Sequence, residues 1–154
     1  MLLVAGLLQD IGQLVLASRA ASAFAMALSR SESQKQPLFE IERDSFGASH
    51  AEVGAYLLGL WGLPQRVVTA VANHLQPQLA ASRVFDAAAA LYVANHLLAD
   101  PGVPAVEDVP PHTVALDLAY LQRIGVAHHL DEWRRLALAF GTGSVPASNL
   151  VARA

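Results

Sequence analysis

The chain has 154 residues, of which 54% are hydrophobic and only 15% are charged. A typical soluble domain carries about 25% charged residues. Intrinsic disorder is excluded, because it requires low hydrophobicity and high net charge. Thirteen acidic and ten basic residues give a net charge of −3, and no basic stripe indicates a nucleic-acid partner. The lack of cysteine excludes disulfides and thiolate metal sites.

The apolar excess raises the question of a membrane span, which needs roughly 18 consecutive apolar residues. The apolar run over residues 1–8 stops at Gln9 and Asp10, and the run over residues 84–99 is interrupted from Asp86 onward. No basic segment or cleavage site marks a signal peptide. We therefore predict a cytoplasmic protein without a membrane partner.

Apolar residues recur at helical spacing along the chain, and no segment alternates with a period of two. We predict an all-α bundle of about six to eight helices. The predicted helices cover residues 2–17, 18–30, 39–46, 49–60, 64–75, 82–98, 113–124 and 130–140. Residues 31–37 and 102–111 are predicted loops, and residues 141–154 are a predicted flexible tail.

Three local signals define helix ends. Ser49 and Glu52 have the spacing of a capping box, in which each side chain accepts a hydrogen bond from the backbone of the other residue. Gly47 is predicted to end the preceding helix. Pro64 is predicted to be the first residue of the next helix.

Four predicted helices each place one polar residue on or beside the apolar stripe: Asp10, His50, His74 and Asn95. Buried polar groups must be paired. These four residues either form a hydrogen-bonded cluster in the core or bind a ligand. Histidine and carboxylate together suit divalent metals, and bundle cores often contain such sites. Periodicity alone favours the cluster.

The segment from Gly6 to Leu14, GLLQDIGQL, resembles the HD superfamily signature GLLHDIGKL. Three further segments resemble its HDOD branch, the HD-related output domain. They are residues 42–64, with FGxxHAEVGAYLL and WGLP; residues 71–74, VANH; and residues 113–140, with DLAYL. The resemblance covers residues 2–140 and implies an HD-like helical fold.

In catalytic HD proteins, an upstream His, a His-Asp doublet, later His residues and a distal Asp hold one or two divalent metals. In this chain the doublet is Gln9-Asp10, so the His is lost and the Asp is kept. The later His positions match His50 and His74. The resemblance implies Asp10, His50 and His74 as ligands of a divalent metal such as Fe, Mn or Mg.

Amides stand at other positions of this pattern. Gln9 replaces the doublet His, Asn73 precedes His74, and Asn95 stands near the expected distal Asp. These three amides would form a polar cluster around the site. Because amide oxygens are weak neutral ligands, we expect no catalysis and no required cofactor.

HDOD domains are generally regarded as non-catalytic signalling modules of bacteria. The resemblance therefore implies a regulatory output domain that binds other signalling proteins. One alternative is a metal-dependent phosphohydrolase, for example a cyclic-dinucleotide phosphodiesterase. A third hypothesis is a sensor that binds a metal or another ligand without catalysis.

HDOD domains normally begin with a further helical half, and this chain resembles only the C-terminal, HD-like half. We predict one domain over residues 1–140. The apolar excess then includes a face that would pack against the missing helices. Such a face favours association, so we expect a homodimer or a larger assembly.

Overall fold

The computed structural model describes residues 1–80, 82–99 and 115–142. Within these ranges all regular elements are helical, which confirms the all-α class. The α-helices are α1 Leu2–Leu8, α2 Ile11–Arg19, α3 Ala21–Gln34, α4 Leu38–Phe46, α5 His50–Leu60, α6 Gln65–Asn73, α7 Ala87–Leu98, α8 Leu118–Arg123 and α9 Leu130–Gly141. Short 3-10 turns cover Pro77–Leu79 and Ala127–His129.

The chain divides into two compact units, Met1–Tyr92 and Val93–Ala154, with the division inside α7. The first unit contains α1 to α6. A single domain over residues 1–140 stays a prediction. The predicted loop over 102–111 lies outside the described residues, and so does the predicted tail from residue 143 onward.

The core of the first unit is formed by α1, α5, α6 and the beginning of α7. Its buried members are apolar and mostly small: Ala5, Ala55, Leu58, Val67, Ala70, Val71 and Leu91. Each fully buried Val or Leu side chain contributes about 1.5–3 kcal/mol relative to an exposed one. Small residues at these positions let the helix backbones lie close together.

Two glycines bring α2 and α5 into backbone contact. A Cβ on Gly12 would lie 1.9 Å from the carbonyl oxygen of His50 and 2.8 Å from the backbone nitrogen of Gly54. A Cβ on Gly54 would lie 3.1 Å from the backbone nitrogen of Gly12. Only residues without a side chain allow this approach. The contact places Asp10, at the start of α2, beside the start of α5.

The predicted boundary between α4 and α5 is confirmed. Gly47 ends α4 in the left-handed region with φ 78°. The capping box is formed, because the Ser49 hydroxyl accepts from the Glu52 backbone N–H at 3.4 Å and the Glu52 carboxylate accepts from the Ser49 backbone N–H at 2.7 Å. Pro64 differs from its prediction, since it is the N-cap of α6 and not its first residue.

The predicted single helix over residues 2–17 is two helices separated by Gln9 and Asp10. Asp10 is the N-cap of α2, where Asp is a preferred residue, but its side chain makes no capping hydrogen bond. The predicted loop over residues 31–37 was also largely wrong. α3 continues to Gln34 and ends at Lys35, which adopts a left-handed conformation with φ 52°.

Two later helices begin after an Asp N-cap, and both predicted starts were too early. The carboxylate of Asp86 accepts a hydrogen bond from the backbone N–H of Ala89 at 3.0 Å, so α7 begins at Ala87 and not at residue 82. The carboxylate of Asp117 accepts from the backbone N–H of Tyr120 at 2.9 Å, so α8 begins at Leu118. In each case the short apolar segment before the Asp was included in the predicted helix.

Leu2–Arg19 is the one stretch among the described residues whose length and composition would suit a membrane-spanning helix. Signal sequences and the core helices of soluble proteins meet the same criteria. The stretch is interrupted at Gln9 and Asp10. Its three most exposed leucines are Leu3 at 76%, Leu7 at 77% and Leu14 at 67%. These three residues are called the N-terminal apolar face below.

Candidate metal centre

Three of the residues singled out by the sequence meet in the first unit. Asp10 is the N-cap of α2, His50 is the first residue of α5, and His74 is the C-cap of α6. One ligand atom from each lies within 4.8 Å of the others. The Asp10 carboxylate oxygen is 3.5 Å from Nε2 of His50 and 3.9 Å from Nε2 of His74. No other group of three such ligands occurs in the described part of the chain.

His50 is buried and is held by Glu42 of α4, a carboxylate that is completely buried. One carboxylate oxygen of Glu42 accepts from the His50 backbone N–H at 2.8 Å and lies 2.6 Å from Nδ1 of the same residue. A carboxylate only accepts, so Nδ1 carries the hydrogen. In the neutral ring this leaves the lone pair on Nε2, the atom that faces Asp10.

His74 is held in the same way by a backbone group. Its Nδ1 lies 2.7 Å from the carbonyl oxygen of Val71, so Nδ1 is the donor and Nε2 carries the lone pair. Burial lowers the pKa of His74, because desolvation disfavours the imidazolium; the Val71 carbonyl and Asp10 act in the opposite direction, and His50 acts with burial. The neutral ring is the form that binds a metal.

Asp10 is the exposed member of the group, with 53% of its side chain accessible. The side-chain amide of Gln13, one turn further along α2, donates to its carboxylate at 3.2 Å. This bond orients Asp10 without removing it from solvent. The three residues therefore form a site with two buried histidine ligands and one carboxylate ligand that faces solvent.

The three ligand atoms fit a cation better than they fit one another. When both rings are neutral, their two Nε2 lone pairs and a carboxylate oxygen, all acceptors, face the same small volume. Nε2 of His74 is buried and has no hydrogen-bond partner in the described part of the molecule, which is costly for a polar atom. Two imidazoles and one carboxylate suit a first-row divalent metal. If a metal is bound, Asp10, His50 and His74 would hold it.

The amides predicted to surround the site are placed differently from the three ligands. The side chain of Asn73 donates to the Thr69 carbonyl oxygen of its own helix at 2.8 Å. Gln9 is half-buried at the end of α1. Asn95 is half-buried and lies in α7, in the second unit. Their place in a polar cluster around the site stays a prediction.

The sequence leaves two interpretations of Glu42 open, a partner of the polar cluster or a solvated residue of its helix. The solvated interpretation, which we favoured, is wrong, because Glu42 is completely buried. A signal was present, since Glu42 follows the apolar Phe39 by three residues and precedes Phe46 by four. That spacing puts it on the buried stripe of α4. An acidic residue in a helix rich in charges is ordinarily exposed, so the burial of Glu42 is difficult to recognise from the sequence.

The family model of the HDOD domain matches residues 1–77. This span is half of the chain and includes Asp10, His50 and His74. No curated protein matches the chain, and no solved structure does. The similarity of residues 113–140 to the closing helices of the family stays a prediction. On the match over residues 1–77, this chain belongs to the HDOD family, whose domain is related to the HD superfamily.

Proposed function

We propose that this chain is a non-catalytic regulatory domain of bacterial signal transduction, in which Asp10, His50 and His74 bind a divalent metal. The observation that carries the proposal is the convergence of three ligand atoms within 4.8 Å. The lost doublet His, replaced by Gln9, argues against turnover. The remaining set has three strong ligands, enough for one ion but not for a pair. The proposed setting is the cytoplasm, with other signalling proteins or domains as partners and neither nucleic acid nor membrane.

Hydrolysis assays test the absence of catalysis. The purified protein is given cyclic dinucleotides and nucleoside phosphates in the presence of Mg²⁺, Mn²⁺ or Fe²⁺, and we expect no turnover. Asp131→Ala serves as the control for Asp10→Ala, because Asp131 is an exposed residue of α9. Turnover that persists in Asp131→Ala and disappears in Asp10→Ala would overturn the proposal.

The second candidate is a metal-dependent phosphohydrolase, and one observation favours it. The Asp10 side chain is 53% exposed, so an ion held there would be accessible to water and to a phosphate group. Catalytic metals with three protein ligands keep an open position for water. The hydrolysis assay described above distinguishes this candidate from the regulatory domain.

A homodimer is the proposed assembly, with the N-terminal apolar face of each copy covering that of the other. Leu3 and Leu7 lie one turn apart on α1, and Leu14 follows at a spacing of seven. Exposed apolar surface of this kind favours association. Light scattering at micromolar concentration should show a dimer, and Leu3→Gln combined with Leu7→Gln should give a monomer. Leu79→Gln, a substitution at another exposed leucine, should leave the dimer intact. A wild-type monomer would contradict the proposal.

A further inference from the structure

Glu42 is buried more completely than its role in the fold requires. Its side chain has no solvent exposure. Its ion-pair partner among the described residues is His50, and one of its carboxylate oxygens, Oε1, has no partner there. A buried carboxylate is costly unless an opposite charge compensates it. A fold that needed only an acceptor for the His50 N–H groups would be served by a neutral amide.

The charges of the site indicate which group could neutralise the negative charge of Glu42. Asp10 and Glu42 carry one negative charge each when ionised, and His50 lies between them, with Nδ1 2.6 Å from Glu42 and Nε2 3.5 Å from Asp10. With neutral histidines the group has a charge of −2, which a divalent cation at the three ligand atoms would neutralise. Histidines that bind metals commonly donate their other N–H to a carboxylate, which fixes the tautomer and raises the basicity of the ligand.

We propose that Glu42 is a positioning residue of the metal site, which does not touch the ion but holds His50 in the Nδ1–H tautomer and supplies the second negative charge that a dication requires. This inference rests on the proposed metal site. His74 has a backbone carbonyl in the same place, so the two histidines are oriented alike but only His50 has a carboxylate as its partner. Metal affinity therefore depends on the contact of Glu42 with Nδ1 of His50.

The experiment measures Co²⁺ binding by calorimetry and by visible absorption, with the metal alone as the probe. We expect Glu42→Gln to weaken Co²⁺ binding about 10–100-fold, while saturating Co²⁺ restores the wild-type absorption bands because Asp10, His50 and His74 are unchanged. Glu40→Gln is the matched control, since Glu40 is an exposed residue of the same helix, and it should bind as wild type does.

The outcomes separate the two proposals. A wild-type chain that binds no Co²⁺ overturns the metal site itself and, with it, the role of Glu42. A wild-type chain that binds Co²⁺ while Glu42→Gln binds equally well overturns only the role of Glu42.

A second measurement needs no variant, so it applies even if Glu42→Gln does not fold. Imidazole nitrogen NMR of the wild-type chain with Zn²⁺ reports the tautomer of His50. We expect a proton on Nδ1 and the metal on Nε2. A His50 that binds the metal through Nδ1, or that carries its proton on Nε2, would overturn the proposal.

Discussion

Asp10 occupies a helix-capping position without capping the helix. Its carboxylate accepts from Gln13 and faces the two histidines, whereas an Asp N-cap ordinarily accepts from the backbone N–H groups of the first turn. Ser49, at the start of α5, makes the full capping box instead. The two N-cap residues therefore differ in what their side chains contact: that of Asp10 faces the histidines of the site, and that of Ser49 binds the backbone of its own helix.

The capping box gives a prediction about acid stability. The pKa of Glu52 lies below its ordinary value of 4.5, chiefly because its carboxylate accepts from the Ser49 backbone N–H; the Ser49 hydroxyl and Arg43 act in the same direction, and partial burial acts against them. A carboxyl whose folded pKa is lowered stabilises the fold fully above its unfolded pKa, and this contribution is lost as pH falls through the folded pKa.

We therefore expect Glu52→Gln to weaken the decline of stability below about pH 4.5. The measurement is the free energy of unfolding in urea from pH 7 to pH 3, compared between wild type and variant. Glu40→Gln, an exposed substitution in α4, is the control. Identical pH profiles for wild type and Glu52→Gln would contradict the prediction.

At the scale of helices, the candidate site depends on the contact between α2 and α5. The start of α2 provides Asp10 and the start of α5 provides His50, and both lie beside the Gly12–Gly54 approach. The two helices meet through backbone atoms, which cannot rotate away as side chains do. The distance between the two ligands is therefore set by two residues that have no side chain.

Gly12→Ala is expected to destabilise the fold, at or above the upper end of the roughly 1–3 kcal/mol typical of overpacking. The added Cβ would lie 1.9 Å from the His50 carbonyl oxygen, so the helices must separate and metal affinity must fall. The free energy of unfolding in urea and Co²⁺ calorimetry measure the two effects.

Gly59→Ala is the matched control, because it is a helical glycine in α5 whose added Cβ meets nothing within 4 Å. Replacing a helical Gly by Ala stabilises a helix by about 0.5–1 kcal/mol. Opposite signs for the two variants are expected. Equal effects at both glycines would show that the close approach does not matter.

Helical spacing alone predicted that His50 and His74 face inward, because one polar residue on an apolar stripe can be recognised from it, and both residues are buried. The same spacing placed Asp10 at the border of an apolar face, whereas 53% of its side chain is accessible. Spacing does not reveal how closely two helices approach, so the Gly12–Gly54 contact was not predicted. For Glu42 the sequence left a partner of the polar cluster and a solvated helix residue as alternatives, and the solvated one was favoured because a charged side chain is ordinarily exposed.

Errors at helix ends have a related cause. Asp86 and Asp117 were available as N-cap signals, but the helices were predicted to begin four residues before each of them, at residues 82 and 113, so the short apolar segments in between were counted as helical. The break at Gln9 interrupts a pattern that is helical on both sides. The amide of Asn73 binds within its own helix, and spacing alone does not distinguish such a bond from one that crosses to another helix.

At the scale of the whole molecule, a metal would connect three separate parts of the first unit: the start of α2, the start of α5 and the end of α6. A ligand that binds only the folded state stabilises it by mass action, by about 2.7 kcal/mol at a free concentration of 100 times Kd. Occupancy of this one site is therefore expected to stabilise the fold of that unit.

We expect Zn²⁺ or Mn²⁺ to raise the thermal midpoint of the wild-type chain, and His74→Gln to abolish the rise. The rise is measured by differential scanning fluorimetry with and without the metal. His128→Gln is the matched control, since His128 is exposed and lies in the second unit. A wild-type midpoint that does not respond to any divalent metal would contradict the metal site.

The unequal exposure of the three ligands has a kinetic consequence. The side chains of His50 and His74 are 5% and 0% accessible, and that of Asp10 is 53% accessible. An ion would exchange with solution past Asp10, while the imidazoles keep their orientation through Glu42 and the Val71 carbonyl. The site is thus preorganised but open on one side. A chelator should remove the metal quickly and leave a folded protein. The metal content of a purified sample would therefore depend on the metal and chelator concentrations of the buffers used to prepare it.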